Sequence, residues 1–248
     1  MKILKYKKKR NGQYEIELES GTSMVLYEEV ILKYELLLKK SIDQKMLDEI
    51  LQANYEYDVY YTALKSLKSR FKSTHDLKEF LLKREYPRES IDKAIDKLTL
   101  QGYLNDRSFA KAYLNNQMIT TSKGPEKLRK ELLAKGVSFD IISEELEVFT
   151  KEEQVEKITK VANRLIKSNR TRGGAVLKQK ILNDLVQLGY DQGIVNEVIN
   201  DLDFLDTSDI RKREYDKLYR KYSRKYSGRE LELKIKEKLY QKGLYYED

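Results

Sequence analysis

Three short runs near the start of the chain, Ile3 to Lys8, Tyr14 to Leu18 and Ser23 to Tyr27, are rich in β-forming residues or alternate apolar with polar positions. Between them stand the stretches RNGQ and ESGTS, whose Asn-Gly and Ser-Gly pairs favour tight turns. The pattern predicts a three-stranded antiparallel meander with one wet face. The period then changes to a helical one. Val30, Leu32, Leu36 and Leu37 are followed by Met46, Leu47, Ile50 and Leu51 at helical spacing. These elements are read as a small β-plus-helix module over residues 1–54.

From Tyr55 onward only helical periods occur, and they repeat. The segments DLKEFLLKREY, KLRKELLAKGV, KILNDLVQLGY and KIKEKLYQKGL superimpose when Glu85, Gly136, Gly189 and Gly243 are taken as equivalent, at spacings of 51, 53 and 54. Eight positions earlier stand Leu77, Leu128, Ile181 and Ile235. Four earlier stand Leu81, Leu132, Leu185 and Leu239, and one later stand Tyr86, Val137, Tyr190 and Leu244. A second apolar face follows at Ile91/Ile95/Leu98, Ile142/Leu146/Phe149 and Val195/Ile199/Leu202. Each unit is therefore a helix, a glycine-type stop and a second helix. A further helix precedes each pair, at Val59 to Arg70, Ser108 to Thr120, Glu153 to Ser168 and Ser208 to Ser223. The expected fold is mainly α, with tandem three-helix repeats over 55–106, 107–150, 151–206 and 207–248. Such repeats stack their apolar faces on neighbours and form an elongated, curved array. The third helix of the last unit would begin beyond Asp248, so that unit is read as partial, with a truncated chain the favoured explanation.

Charge follows the same repeat. The chain carries 49 Lys and Arg against 41 Asp and Glu. Val59 to Arg84 holds seven basic and two acidic residues, Arg107 to Lys135 seven and two, and Arg211 to Arg229 nine and two. Lys160 to Lys180 holds seven and none, whereas Ile181 to Asp203 holds five acidic and no basic residues. The first two helices of each unit are thus basic and the third acidic. One reading is a set of solvated helical faces. The other is a basic ribbon that meets a phosphate backbone or an acidic protein surface. On the second reading the candidate contacts are Lys68, Arg70, Lys72, Lys123, Lys127, Arg129, Lys130, Arg164, Lys167, Arg170, Arg172, Lys178, Lys180, Arg220, Lys221, Arg224 and Lys225. Tyr215, Tyr219, Tyr222 and Tyr226 share one helical face and are expected to form a packing stripe, the alternative being stacking on single-stranded bases.

The chain contains no cysteine and one histidine, His75. A disulfide framework, a thiolate metal site and a multi-histidine site are excluded, and a reducing cytosol is expected. His75 is read as a surface residue at a helix start. No phosphate-binding P-loop, dinucleotide fingerprint or His-Glu-x-x-His zinc motif is present. Gly173 and Gly174 sit at a helix start, as in a phosphate cradle, but the lysine and hydroxyl of a P-loop do not follow. They are read as a helix–helix joint. No apolar run approaches the length of a membrane span. The expectation is a cytoplasmic, monomeric non-enzyme with no cofactor or metal.

The stretch GYLNDRSFAKAY resembles the RecX family, regulators of the RecA recombinase. Gly102, Tyr103, Leu104, Asp106, Phe109 and Ala110 fit its Gly-apolar-Leu-Asp-Asp-x-x-Phe-Ala pattern, with Asn105 in place of the first Asp. Ala63, Leu64, Leu67, Arg70, Ser73, Leu77 and Leu81 fit upstream, with Phe71 where a proline is common. Gly124, Leu128, Leu132, Lys135, Gly136 and Val137 fit downstream. The N-terminal strands resemble the extension of long family members from Gram-positive bacteria. The resemblance implies a non-enzymatic protein of three-helix repeats. Such a protein binds RecA filaments along their groove, binds single- or double-stranded DNA, and limits filament growth, strand exchange and RecA ATPase activity. The residues alone leave open a DNA-binding repeat protein unrelated to RecA, or a helical protein–protein adaptor.

Overall fold

A computed structural model describes residues 1–9, 12–204 and 207–244 of the chain. The alternating N-terminal runs form strands β1 (Ile3–Lys8), β2 (Gln13–Leu18) and β3 (Ser23–Tyr27), paired antiparallel in the order β1-β2-β3. Tyr6 lies opposite Ile16, and Ile16 opposite Met24. This register buries Ile16, Leu18 and Leu26 on one face and leaves Lys5, Lys7 and Glu17 in water.

Helix α1 (Glu28–Lys33) is short, and helix α2 (Gln44–Ser69) is long. Asp43 caps α2 by accepting from the Met46 N–H at 2.7 Å. Two expectations are corrected here. Of the apolar positions read at helical spacing, Val30, Leu36 and Ile50 fill the core, whereas Leu32, Leu37 and Leu51 are exposed. The expected division between residues 54 and 55 falls inside α2, which runs through it unbroken. Asn54 shows why the helix continues. Its Oδ1 accepts from the Tyr27 N–H at 2.9 Å and its Nδ2 donates to the Val25 carbonyl at 3.1 Å. One helix side chain thus satisfies an edge strand's free backbone groups, which would otherwise need water or another strand. Four residues on, Asp58 accepts from the Tyr27 hydroxyl at 3.0 Å and from the Tyr86 hydroxyl at 2.7 Å. Sheet and first repeat are therefore stitched along one helix.

The remaining helices are α3 (Thr74–Leu82), α4 (Arg88–Leu100), α5 (Asp106–Thr120), α6 (Pro125–Ala134), α7 (Phe139–Leu146), α8 (Lys151–Ser168), α9 (Gly174–Gln187), α10 (Gln192–Asn200), α11 (Ser208–Tyr222) and α12 (Gly228–Tyr240). The chain divides into two compact units. One comprises Met1–Phe109 with Lys135–Val137, the other Ala110–Ala134 with the chain from Ser138. In the first, Leu77, Leu81, Ile91 and Leu98 are fully buried around Val59 and Ala63. In the second, Ile158, Ile181, Leu185 and Val195 form a core of the same kind. Each such side chain contributes roughly 1.5–3 kcal/mol by leaving water.

The repeat register has a backbone cause. Glu85, Gly136, Gly189 and Gly243 all take left-handed φ, at 63°, 73°, 93° and 71°. After Glu85, Gly189 and Gly243 the next residue donates back to the carbonyl five positions earlier. Tyr190 N–H reaches the Leu185 oxygen at 3.3 Å, and Leu244 N–H the Leu239 oxygen at 3.0 Å. This helix-ending bond brings two apolar residues together across the turn. Glu85 holds the same conformation with a side chain, at a cost of about 1 kcal/mol.

These stops also dock. A Cβ on Gly136 would strike His75, one on Gly189 would strike Lys127, and one on Gly243 would strike Gly173. In the first unit, Lys135 pairs with Asp76 at 3.0 Å beside the contact. In the second, Gly124 N–H donates to the Leu188 carbonyl at 2.7 Å and Glu126 N–H to the Gly189 carbonyl at 3.0 Å. Gly173 N–H donates to the Lys242 carbonyl at 3.0 Å. The start of one repeat's second helix thus meets the end of the next repeat's second helix. Amide-rich and carbonyl-rich helix ends face one another, as their dipoles favour.

Candidate nucleic-acid interface

The stretch around Gly173 is built by local hydrogen bonds. Helix α8 stops at Ser168, and Asn169 turns the chain. Its Oδ1 accepts from the Arg172 N–H at 3.1 Å, and its Nδ2 donates to the Arg172 carbonyl. Arg170 swings back over the helix end and donates to the Lys167 and Asn169 carbonyls at 2.6 and 3.0 Å. Gly173 is the N-cap of α9, and Gly174 follows at φ 48°. The Gly173 amide is occupied by the Lys242 carbonyl. The pair of glycines is a helix joint, and the positive groups of this region are side chains.

Those side chains differ in what they already touch. Lys123 bonds Glu131 at 2.7 Å and Gln117 at 3.0 Å. Burial raises the Glu131 carboxyl, but hydrogen bonds from Lys123 and Tyr113 and the charges of Lys123 and Lys127 outweigh it and hold it below the usual carboxylate range. Arg129 reaches Glu126 and Ser143 at 3.3 and 3.2 Å and lies over the Phe139 ring. Lys180 pairs with Asp184, and Lys178 lies over the Phe204 ring. In the first unit, Lys72 lies over the Phe80 ring. These five are tied into the fold.

The others face solvent differently. Lys68 and Arg70 in the first unit are exposed. In the second, Arg164 donates to the Ser122 hydroxyl at 3.3 Å, and Lys221 lies over the Tyr222 ring. Among the described residues, Lys130, Lys167, Arg172, Arg220, Arg224 and Lys225 are in no salt bridge, and Lys127 acts on Glu131 through its charge without a direct ion pair. The structure brings Arg164 and Lys167 together with Lys160, Asn163 and Ser168 in an open depression of about 580 Å³ on α8. Arg172 and Lys180 line a second depression of about 630 Å³ on α9, where Asp184 offsets part of the charge. Asn163 and Ser122 are additions to the candidates named from sequence, whereas Lys160 is paired with Glu156 at 2.5 Å. The 160/164/167 spacing marks one helical face in the sequence, but nothing there marks the approach of Ser122.

The tyrosine stripe is corrected. Tyr222 and Tyr226 pack on the Leu218, Leu231 and Ile235 core, whereas Tyr215 and Tyr219 are 41% and 48% exposed. The inner face of α11 is taken by Leu218 and by Glu214, whose carboxylate is buried against Lys242 Nζ at 2.5 Å. His75 is exposed at the second position of α3, behind the Ser73 cap. No described helix is long and apolar enough to cross a membrane.

The family model described as "RecX, second three-helix domain" matches residues 105–146. The "Regulatory protein RecX" of Listeria welshimeri is 32% identical over 253 residues, covering 100% of this chain and 94% of the relative. The chain belongs to the RecX family. The RecX of Halalkalibacterium halodurans is likewise 32% identical, over 97% of this chain and 93% of its own length. A crystal structure of regulatory protein RecX superimposes with a TM-score of 0.73 at 27% identity, covering 81% of this chain and 99% of that one. RecX from Lactobacillus salivarius gives 0.58 at 25% identity over 62% of this chain and 99% of that one. The chain is accordingly a RecX-type regulatory protein and not an enzyme. It shares their mainly helical fold, with a small antiparallel sheet at its N-terminus.

Proposed function

We propose that this RecX protein binds the RecA nucleoprotein filament and its DNA and restrains RecA, slowing filament growth, ATP hydrolysis and strand exchange in the cytoplasm. Its three-helix repeats serve as successive contact modules of a monomer. The observation that carries this reading is the unpaired positive charge of the second unit, on α8 and at the start of α9. Arg164, Lys167 and Arg172 stand around the α8–α9 joint with no carboxylate bonded to them. Charge left unneutralised on the surface attracts phosphate or an acidic protein surface and steers association.

The test is RecA's DNA-dependent ATPase and strand exchange with equimolar protein. Inhibition is expected. The combined change Arg164→Glu, Lys167→Glu, Arg172→Glu should weaken it by at least about tenfold, because it removes three attractions and adds three repulsions. The same change at Lys123, Lys178 and Lys180 should act through lost packing and stability instead. If the wild-type chain leaves both RecA activities untouched while still binding DNA, the RecA reading is wrong.

A further inference from the structure

We infer that Tyr215 and Tyr219 on α11 distinguish unpaired from paired nucleic acid by stacking on exposed bases. Their rings lie side by side along the helix, with centroids 6.3 Å apart and planes 21° from parallel. Both rings are outside the core, although a tyrosine stripe at this spacing ordinarily packs inward. Glu214 and Leu218 hold the inner face in their place. Lys212, Arg213, Lys217, Arg220 and Lys221 are exposed on the same helix. Of its acidic residues, Glu214 is turned inward against Lys242 at 2.5 Å, with Lys217 at 3.9 Å from its other oxygen, which leaves Asp209 and Asp216 outside. Two aromatic faces within a basic field match the chemistry of a single strand, which offers both phosphates and open base faces. A duplex offers phosphates and groove edges but no open base faces, because its bases are stacked on one another. An acidic protein surface would use the cations and leave the parallel rings without a counterpart.

This inference rests on the reading that the chain binds nucleic acid, and one experiment separates the two. The full-length protein is titrated against a fluorescent oligothymidine and a duplex of equal length, at several salt concentrations. The double variant Tyr215→Ala, Tyr219→Ala should lose about tenfold or more in affinity for the single strand, as expected for a lost base stack. It should lose less than about twofold for the duplex and keep the wild-type salt dependence, since no phosphate contact is removed. Tyr215→Phe, Tyr219→Phe keeps the rings and should bind as wild type. An unchanged melting temperature shows that folding is intact, as exposed positions allow. Equal loss on both nucleic acids, or no loss on either, overturns the assignment while the nucleic-acid reading stands. Unchanged oligonucleotide binding with lost RecA inhibition also overturns it and places the rings against protein. A wild-type chain that binds neither oligonucleotide at low salt overturns both.

Discussion

Gly124 is where the docking of successive repeats can be tested with a single carbon atom. Its N–H donates to the Leu188 carbonyl at 2.7 Å, and the neighbouring Glu126 N–H donates to Gly189 at 3.0 Å. In Gly124→Ala the new Cβ would lie 2.5 Å from the Gly189 carbonyl carbon and oxygen and 2.6 Å from the Tyr190 nitrogen. All three atoms are backbone, so no rotamer can move aside. Ordinary contact begins near 3.4 Å, so the two helix ends must part by about 1 Å, which breaks both hydrogen bonds. Two such bonds contribute about 1–3 kcal/mol together, and overpacking costs a further 1–3 kcal/mol or so. The stiffer unfolded chain returns about 0.4–1 kcal/mol. The net loss is about 3 kcal/mol, or roughly 6–12 °C in melting temperature for a chain of this size. The comparison is Gly228→Ala, at φ 54° with nothing within 4 Å of the added carbon, which costs only about 1 kcal/mol of backbone strain. Hydrogen exchange should show the Gly124 and Glu126 amides losing protection first. A Gly124→Ala protein that melts within about 2 °C of wild type, or no lower than Gly228→Ala, would refute the docking argument.

Three further outcomes are expected. Asn54→Asp keeps the acceptor for Tyr27 but turns a carboxylate on the Val25 carbonyl, so urea denaturation should show a loss of about 1–3 kcal/mol; no loss would mean that the sheet edge does not depend on α2. Glu131 has a lowered folded-state pKa, so its contribution is present above the unfolded value near 4.5 and is lost as pH falls through the folded one. Glu131→Gln should therefore melt lower than wild type at neutral pH, and the gap should narrow progressively as the pH falls below about 4.5; a gap that does not narrow on acidification would contradict the Lys123 pairing. The Tyr190 hydroxyl is buried without a hydrogen-bond partner among the described residues, and burial pushes its pKa up to about 12. Tyr190→Phe should be neutral or more stable by up to about 1 kcal/mol, and a drop of more than that on thermal melting would show that the hydroxyl is satisfied.

Much of the fold was legible in the residues alone. The strands, the turns at Gly12 and Gly21, and the stops at Glu85, Gly136, Gly189 and Gly243 are set by residues close in sequence. Backbone preference and apolar period act locally, so Leu185 and Tyr190 announce the same helix end that their hydrogen bond later closes. The repeats were legible for the same reason, since each unit solves one packing problem with the same spacing.

The tertiary structure decided what depends on distant partners. No breaker marks the α2 boundary, and only Asn54 and Asp58 reaching back to β3 and across to Tyr86 show that the helix belongs to both sides. A lysine in a basic run looks the same whether it is solvated or spent. Lys123 is claimed by Glu131, and Lys178 lies on Phe204, while Lys167 and Arg172 are left without a carboxylate. Tyr215 and Tyr219 had the spacing of a core stripe. They stand outside because Lys242, 28 residues away from Glu214, neutralises that carboxylate and lets it take the inner face. Periodicity records which residues share a helical face. Which face is covered, and which charge is free to meet a partner, is fixed by groups that only folding brings together.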